Sequence, residues 1–336
     1  GRLLFDGTPA ELARRVDLPT GRAWAAPRRA RAAHSPAGFV EITGVRAHNL
    51  QGLDLRVPLG LMTALTGPSG SGKSTLAEDV LYRAVARSLG DTKVPRPLAH
   101  VELRGAEAFT RAVLVDQSPL GRTARGNAGT YTKAWDRVRE RFAAEPEARR
   151  LGLTAAHFSF NVAGKGRCEA CSGEGYETVE MQFLADVSLL CPVCRGKRFR
   201  PEVLAVRHVG VTVSELLELP VADAKALLEQ ADGAGARDYV LGRALEPLVR
   251  VGLGYLPLGQ PLSTLSGGEA QRLKLARALV ERGGAQRGTL YVVDEPSAGL
   301  HAEDVGRVVA ALRGLVDEGA TVVVVDVAAT APPAVS

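Results

Sequence analysis

The stretch that decides the fold is Gly67-Pro-Ser-Gly-Ser-Gly-Lys73-Ser74. It follows an apolar run, Leu61–Thr66, and precedes a segment from Leu76 to Ala84 whose apolar residues recur at helical spacing. A glycine-rich loop between a strand and a helix lets successive backbone N–H groups converge on phosphate oxygens. We therefore predict a phosphate-binding loop rather than a chance glycine-rich turn. Its expected nucleotide-binding residues are Gly67, Pro68, Ser69, Gly70, Ser71, Gly72, Lys73, Ser74 and Thr75.

A second apolar run, Leu290–Val293, ends in the carboxylates Asp294 and Glu295. Such a strand end is common by itself, but beside a phosphate loop it has a specific chemistry. The first carboxylate holds Mg²⁺ and the second orients or deprotonates the attacking water. We predict Ser74 and Asp294 as Mg²⁺ ligands, Glu295 as the catalytic carboxylate, and Lys73 at the β- and γ-phosphates.

The segment Leu265-Ser266-Gly267-Gly268-Glu269 is the most diagnostic of the chain. Ser266 and Glu269 have capping-box spacing, so they can begin a helix, while the two glycines leave its first N–H groups open to an anion. The alternative is a well-capped surface helix. We predict that Ser266, Gly267, Gly268 and Glu269 bind nucleotide.

The order of these motifs resembles that of ABC-type ATPases. Gln117 follows a predicted strand, Ala112–Asp116, and Ser297-Ala-Gly-Leu-His301 follows Glu295. In that family two nucleotide-binding domains face head to tail, and the Ser-Gly-Gly helix of one closes on ATP held by the other. The resemblance implies ATP and Mg²⁺ as cofactors and adds Gln117 to the catalytic set. It also implies a second ATPase half as partner, in the same longer chain or in a homodimer.

One expected residue of that family is missing. A histidine usually follows the strand that is here Thr321–Asp326, but this sequence has Val327 at that position. His301 belongs to the loop after Glu295 and is not its equivalent. We therefore expect nucleotide binding to persist and hydrolysis to be impaired.

The four cysteines form two C-x-x-C pairs, Cys168/Cys171 and Cys191/Cys194. This spacing is typical of a structural Zn²⁺ site with four thiolates. Two disulfides are the alternative, and a redox-active pair is less favoured because two pairs occur at ligand spacing. Between the pairs, Thr178–Phe183 alternates polar and apolar residues and predicts a hairpin that turns near residues 185–186.

A basic run, residues 121–142, carries six Lys/Arg against Asp136 and Glu140. Arginines interleaved with glycines, short hydroxyls and an amide are typical of phosphate-backbone contacts. The alternative is a loop that anchors the helix predicted over Ala134–Phe142. The predicted DNA-binding residues are Arg122, Arg125, Asn127, Thr130, Tyr131 and Lys133.

Several segments together resemble the UvrA family, the damage-sensing ABC-type ATPases of bacterial nucleotide excision repair. They are Asp116-Gln117-Ser-Pro-Leu-Gly-Arg-Thr, Phe158-Ser-Phe-Asn-Val, Gly166-Arg-Cys-Glu-Ala-Cys, and the stretch from Leu258-Gly-Gln260 through Arg272. The resemblance runs from about Phe39 to Asp326 and corresponds to the C-terminal ATPase half. It implies duplex DNA as a partner, recognition of distorted or damaged DNA by its shape, and a place in the SOS response. The UvrB-like helicase, a partner by family resemblance only, docks on the other half.

The fold class expected from the resemblance is α/β, an ABC-type P-loop nucleotide-binding domain with a large inserted signature domain that carries the four-cysteine zinc module. Residues 1–18 are interpreted as the tail of a preceding ATPase half that contains a strand, Leu3–Phe5, and a helix opened by Thr8-Pro9. Residues 19–38 are interpreted as a linker. The remaining expected limits are 39–88 for the first part of the core, 89–264 for the inserted domain with its zinc module at 165–200, and 265–336 for the second, truncated part of the core.

Composition excludes some classes and leaves others open. The chain has 336 residues, 46% hydrophobic and 24% charged, which excludes wholesale disorder. No apolar run approaches the ~20 residues of a membrane span and no signal-peptide pattern is present, so no membrane partner and a cytoplasmic location are expected. The net charge of +5 is weak support for nucleic acid. The remaining alternatives are a UvrA-like paralogue in self-resistance to DNA-targeting antibiotics, a non-hydrolysing scaffold, and an ABC-transporter ATPase, which the cysteine insertion disfavours.

Overall fold

The computed structural model describes residues 3–25, 35–120, 126–179, 187–230, 238–280 and 287–327. The chain forms two compact units, one made of Gly1–Gln117 with Glu281–Ser336 and the other of Ser118–Val280. Each unit is described by itself. No helix in the described ranges combines the length and the apolar character that crossing a membrane requires.

The first unit begins with two short helices and a strand-rich segment. Thr8 and Glu11 form a reciprocal capping box that begins the first helix, which confirms the helix predicted after Thr8-Pro9. The helix after the glycine-rich loop begins at Lys73, also as predicted. The elements are α1 (Pro9–Arg14), α2 (Pro19–Ala25), β1 (Phe39–Ala47), β2 (Leu50–Pro58), β3 (Met62–Gly67), a π-type helical segment (Thr75–Tyr82), α3 (Arg83–Ser88), β4 (Glu102–Arg104) and β5 (Arg111–Val115).

The second unit is mostly helical. Aromatic side chains pack at its centre: Trp135 contacts Phe160, which in turn contacts Phe199 beside the cysteines. The Trp135 indole N–H donates to the Phe158 carbonyl oxygen at 3.2 Å, so a buried polar group is satisfied. The elements are α4 (Ala128–Tyr131), α5 (Ala134–Ala143), α6 (Pro146–Arg150), β6 (Tyr176–Val179), β7 (Val187–Leu190), α7 (Pro201–Leu204), β8 (Arg207–His208), β9 (Val211–Thr212), α8 (Val213–Glu218), α9 (Val221–Gln230), α10 (Tyr239–Arg250) and α11 (Gly267–Val280).

The chain then completes the first unit with β10 (Thr289–Asp294), α12 (Ala302–Asp317) and β11 (Thr321–Val327). Its main sheet is parallel, with strand order β3-β11-β10-β5, and a separate antiparallel sheet has the order β2-β1-β4. The first five residues of β10 are buried, as expected for a parallel strand covered on both faces. The α/β class expected from the sequence is confirmed, and the parallel order of the main sheet is a finding of the structure.

Two expectations for the N-terminal segment are wrong. Residues 3–6 have no regular structure, because no described strand pairs with Leu3–Phe5. Part of the expected linker, residues 19–25, is helix α2, which packs against α12. Arg22 Nε lies 2.8 Å from Glu303 Oε1, so this part of the segment is attached rather than free. Residues 26–34 lie outside the described residues.

The boundaries between the two compact units also differ from the domain limits expected from the sequence. The segment after residue 88 still belongs to the first unit, because β4 pairs with β1 and β5 pairs with β10. Helix α11 belongs to the second unit, because it packs against α10 and α4. The unit boundaries therefore fall after Gln117 and after Val280 rather than after residues 88 and 264.

Candidate nucleotide and metal sites

The carboxyl ends of the parallel strands meet at one edge of the sheet in the first unit. Gly67 ends β3, Asp294 ends β10, and Gln117 follows β5 by two residues. Ligand sites of parallel α/β sheets form at this edge, because the loops after the strands converge there. Three of the motifs predicted from the sequence are thereby brought together.

The glycine-rich loop has a backbone that only glycine adopts without strain. Gly70 and Gly72 have φ values of +76° and +93°. A Cβ atom on Gly72 would lie 2.9 Å from the Asn49 side-chain oxygen, so a larger residue is excluded there. Asn49 also donates from Nδ2 to the Gly70 carbonyl oxygen at 2.9 Å. The turn between β1 and β2 therefore holds the loop, a support that the sequence analysis missed because Asn49 belongs to no recognised motif.

Lys73 and Ser74 occupy the positions that the motif requires. The Lys73 ammonium donates to the carbonyl oxygens of Gly67 and Pro68 at 3.0 and 2.9 Å. It therefore lies inside the loop, where a phosphate oxygen would compete with these carbonyls. Ser74 Oγ donates to Asp294 Oδ1 at 3.2 Å, so the two predicted Mg²⁺ ligands are in direct contact. A hydroxyl and a carboxylate are the hard oxygen donors that Mg²⁺ prefers.

Glu295 has a strained backbone, with φ at +44°. A non-glycine residue in this region costs on the order of 1–3 kcal/mol and persists only where its surroundings fix it. The Glu295 N–H donates to the Val325 carbonyl oxygen of β11 at 2.7 Å, and the Glu295 carbonyl oxygen accepts from the Ala298 N–H at 3.1 Å. These two bonds hold the backbone of Glu295 in a defined place after β10.

Glu78 is an acidic neighbour of this edge that the sequence analysis missed. Burial, together with the charge of Asp294 and a hydrogen bond to it, raises the pKa of Glu78 to about 7. The charge of Asp116 acts in the same direction. Glu78 lies one helical turn after Ser74, and this i, i+4 spacing is the signal that could have found it.

The loop after Glu295 leads to α12, and His301 has a structural role at the start of this helix. His301 Nδ1 accepts the Glu303 N–H, which caps α12, and its other ring nitrogen contacts Thr20 Oγ1 at 3.0 Å. Val327 pairs with Gly67 as the last residue of β11. The predicted effect of Val327 on hydrolysis stays a prediction.

The signature segment begins α11 in the second unit with the predicted capping box. The Glu269 N–H donates to Ser266 Oγ at 3.3 Å, and the Ser266 N–H donates to Glu269 Oε2 at 2.8 Å. Ser266 and Gly267 are exposed, so the start of this helix is accessible to solvent. Such N–H groups carry a partial positive charge and suit an anion.

The four cysteines form one buried cluster in the second unit. All four sulfur atoms lie within 4.8 Å of one another and all four cysteines are free. The Cys168–Cys191 and Cys171–Cys194 sulfur distances are 4.0 and 3.6 Å. A tetrahedral Zn²⁺ site with Zn–S bonds of about 2.3 Å places its sulfurs about 3.8 Å apart, whereas a disulfide needs about 2.05 Å. The geometry fits the predicted Zn²⁺ donor set and not the disulfide alternative.

The chain around the cysteines is folded to supply these sulfurs. The Gly175 N–H donates to Cys171 Sγ at 3.2 Å, and Gly173 and Gly196 have positive φ values after each pair. Strands β6 and β7 pair antiparallel, which confirms the predicted hairpin, although its turn lies outside the described residues. Burial raises the pKa of the Cys194 thiol to about 12, so a bound cation is needed to keep this sulfur ionised near neutral pH.

The predicted DNA-binding residues separate into three groups. Arg122 and Arg125 lie outside the described residues. Asn127 is only 1% exposed, and its side chain caps α4, where its Oδ1 accepts the Thr130 N–H at 2.8 Å. Its prediction as a DNA contact is therefore corrected. Thr130, whose hydroxyl completes that capping box, and Tyr131 are half-buried, and Lys133 is exposed.

Comparison with known proteins identifies relatives of similar sequence and a crystal structure of similar fold. A scan against protein-family models gives no match. UvrABC system protein A of Methanothermobacter thermautotrophicus is 43% identical over 331 residues, which cover 97% of this chain and 33% of that protein. The same-named protein of Thermus thermophilus is 47% identical over 288 residues, 86% of this chain and 29% of that protein. The crystal structure of UvrA2 from Deinococcus radiodurans has a TM-score of 0.79 at 44% identity and covers 96% of this chain and 38% of that one. The chain thus spans about a third of the length of these curated relatives.

Proposed function

Because the chain belongs to the UvrA family and matches its C-terminal ABC-type ATPase half, we propose that it binds and hydrolyses ATP as part of a UvrA-type DNA-repair protein. The observation that carries the proposal is the sheet edge where the glycine-rich loop and Lys73 lie beside Ser74 and Asp294. The loop with Lys73 and Ser74 and the carboxylate of Asp294 belong to separate stretches of sequence and meet only in the fold.

The residues of this edge have separate roles in phosphoryl transfer. The loop N–H groups and Lys73 bind the phosphates, and Ser74 and Asp294 hold Mg²⁺ through their oxygens. Bound Mg²⁺ would neutralise part of the charge that develops on the phosphate oxygens. Glu295 orients the attacking water and accepts its proton, and Gln117 contributes a polar side chain at the same edge.

The signature segment supports a paired arrangement. Its exposed helix N-terminus has N–H groups available for an anion, and α11 is long enough for an aligned helix dipole. We infer that Ser266, Gly267 and Gly268 bind the terminal phosphate of ATP held by a second ATPase half. A second half in a longer chain or a second copy of this chain would supply the matching site.

The cysteine cluster supports a structural zinc module in the same protein. The donor set is four buried thiols, which already fill the four positions of a tetrahedral ion and so suit a closed structural site rather than a catalytic one. The module holds the β6–β7 hairpin between its two halves.

We also propose that the protein contacts duplex DNA, and that the duplex it recognises is distorted or damaged. The exposed Lys133, together with Arg122 and Arg125, supports a phosphate-backbone contact near α4 and α5. Contacts of this kind position a duplex without reading its sequence, and recognition would come from its deformability.

A salt titration of DNA binding tests this part. The Arg122→Ala/Arg125→Ala variant should bind every duplex more weakly, and its slope of log affinity against log salt should fall by about 0.9 per lost phosphate contact. The matched control is Arg307→Ala/Arg313→Ala, which removes two exposed arginines of α12. Equal slopes for wild type and the first variant would contradict the assigned surface.

A further inference from the structure

Tyr255 lies in the connection between α10 and α11 and contacts the start of the signature helix. Its hydroxyl donates to Glu269 Oε1 at 2.5 Å, while its side chain remains 58% exposed. Partial burial of the hydroxyl, together with its hydrogen bond to Glu269, raises the pKa of Tyr255. No sequence motif included this residue.

The contact with Tyr255 holds one carboxylate oxygen of Glu269, whose other oxygen already accepts a hydrogen bond in the capping box. Glu269 Oε2 accepts the Ser266 N–H in the capping box, and Oε1 accepts the Tyr255 hydroxyl. Burial alone would raise the pKa of Glu269, but the hydrogen bonds from Tyr255 and Ser266 bring it below its ordinary value. A negative charge is therefore held in the first turn of α11 with both oxygens engaged within the chain, which is a capping role and not the nucleotide contact predicted for Glu269 from the sequence.

Arg272 is the third residue of this hydrogen-bond network. It is 7% exposed, and its guanidinium donates to the Gly268 and Gly252 carbonyl oxygens, each at 3.3 Å, and to the Tyr255 hydroxyl oxygen at 3.4 Å. The connection that carries Gly252 and Tyr255 is thus attached to the first turn of the signature helix by one buried cation.

We propose that Tyr255 is a positioning residue for the anion-binding end of the signature helix: by holding Glu269 Oε1, it prevents that carboxylate from occupying the N–H groups of Gly267 and Gly268. A carboxylate in the first turn is itself an anion tethered next to those N–H groups. Without the phenol it competes with the incoming phosphate at high local concentration. The inference rests on the proposed function, because the phosphate is that of ATP held by the second ATPase half.

The test compares turnover and nucleotide binding in Tyr255→Phe and wild type, at protein concentrations where two copies pair. The variant should lose about tenfold in kcat, since a hydrogen bond to a charged group is lost. Its affinity for an ATP analogue at the phosphate loop of the unpaired chain should stay within about twofold, because that loop is in the other compact unit. Tyr239→Phe, at a half-exposed tyrosine that begins α10, is the matched control and should keep the wild-type kcat.

A second variant separates positioning from simple loss of structure. Gln retains the capping-box geometry without the negative charge, so Tyr255→Phe/Glu269→Gln should recover kcat relative to Tyr255→Phe alone. A Tyr255→Phe variant with wild-type kcat, or one whose loss Glu269→Gln does not reduce, would overturn the inference while ATP hydrolysis by wild type upholds the proposed function. Absence of ATP binding by wild type would overturn both.

Discussion

Glu78 gives a prediction whose sign and size follow from the strand edge. This half-buried carboxyl lies against Asp294 and near Asp116, and its pKa is raised from 4.5 to about 7. The folded chain therefore binds a proton more tightly at this position than the unfolded chain does. Stability associated with the group is fully present below about pH 4.5 and is lost as the pH rises through about 7.

The Glu78→Gln substitution removes the loss of stability that accompanies ionisation of Glu78. A shift from 4.5 to about 7 corresponds to about 3 kcal/mol between the two pH limits, and about 2 kcal/mol of it falls between about pH 5.5 and about pH 8. Partial exposure of the side chain screens the repulsion, so these values are upper limits. The variant should gain free energy of unfolding relative to wild type as the pH rises across this range.

Urea unfolding at both pH values, without nucleotide or metal, measures the difference. Asp79→Asn is the comparison variant: Asp79 pairs with Arg83 at 2.5 Å, so its removal should lower stability, and its pH-dependent gain should be much smaller because Asp79 is the smallest of the contributors to the raised pKa of Glu78. Addition of Mg²⁺ and ATP should reduce the advantage of Glu78→Gln, because a cation at Asp294 offsets the repulsion. An equal effect of Glu78→Gln at both pH values would refute the reasoning.

Three further outcomes are expected. Cys171→Ser should bind Zn²⁺ about 100-fold more weakly than wild type in a chelator competition, and unchanged zinc affinity would contradict a four-thiolate site. Zinc affinity of wild type should fall as the pH is lowered, since protons compete for thiols such as Cys194, whose pKa burial raises to about 12; a pH-independent affinity would show other ligands. Asn127→Ala should lower the free energy of unfolding by about 1–2 kcal/mol through loss of the α4 cap, whereas the exposed Asn161→Ala should not; equal effects would show that the cap is unimportant.

The sequence predicted the parts of the molecule that depend on local chemistry. The loop that ends in Lys73, the capping box of Ser266 and Glu269, and the spacing of the cysteines each specify a backbone geometry within a few residues. The apolar runs predicted the strands β5, β10 and β11, although not their parallel order in the sheet. These features were predictable because the residues that form them are neighbours in sequence or repeat at a fixed period.

Features that depend on distant contacts were missed or wrong. Helix α2 was interpreted as linker because its contacts with α12, such as Arg22 with Glu303, are invisible in a local composition. Asn127 was interpreted as a surface residue because a polar residue in a basic run is typical of exposed loops, but its burial depends on the packing around α4. The raised pKa of Glu78 depends on Asp294 and Asp116 at the ends of separate strands, and Tyr255 contacts Glu269 14 positions further along the chain, beyond the reach of a local pattern.

The central claim is that the strand edge around Lys73 is a nucleotide site, and equilibrium binding of an ATP analogue tests it most directly. With Mg²⁺ present, the wild-type chain should bind, and Lys73→Ala should bind about 10–100-fold more weakly because it loses a charged hydrogen-bond donor to phosphate. Lys93→Ala, at an exposed lysine outside the loop, should bind like wild type. Failure of wild type to bind, or equal binding by Lys73→Ala, would contradict the account.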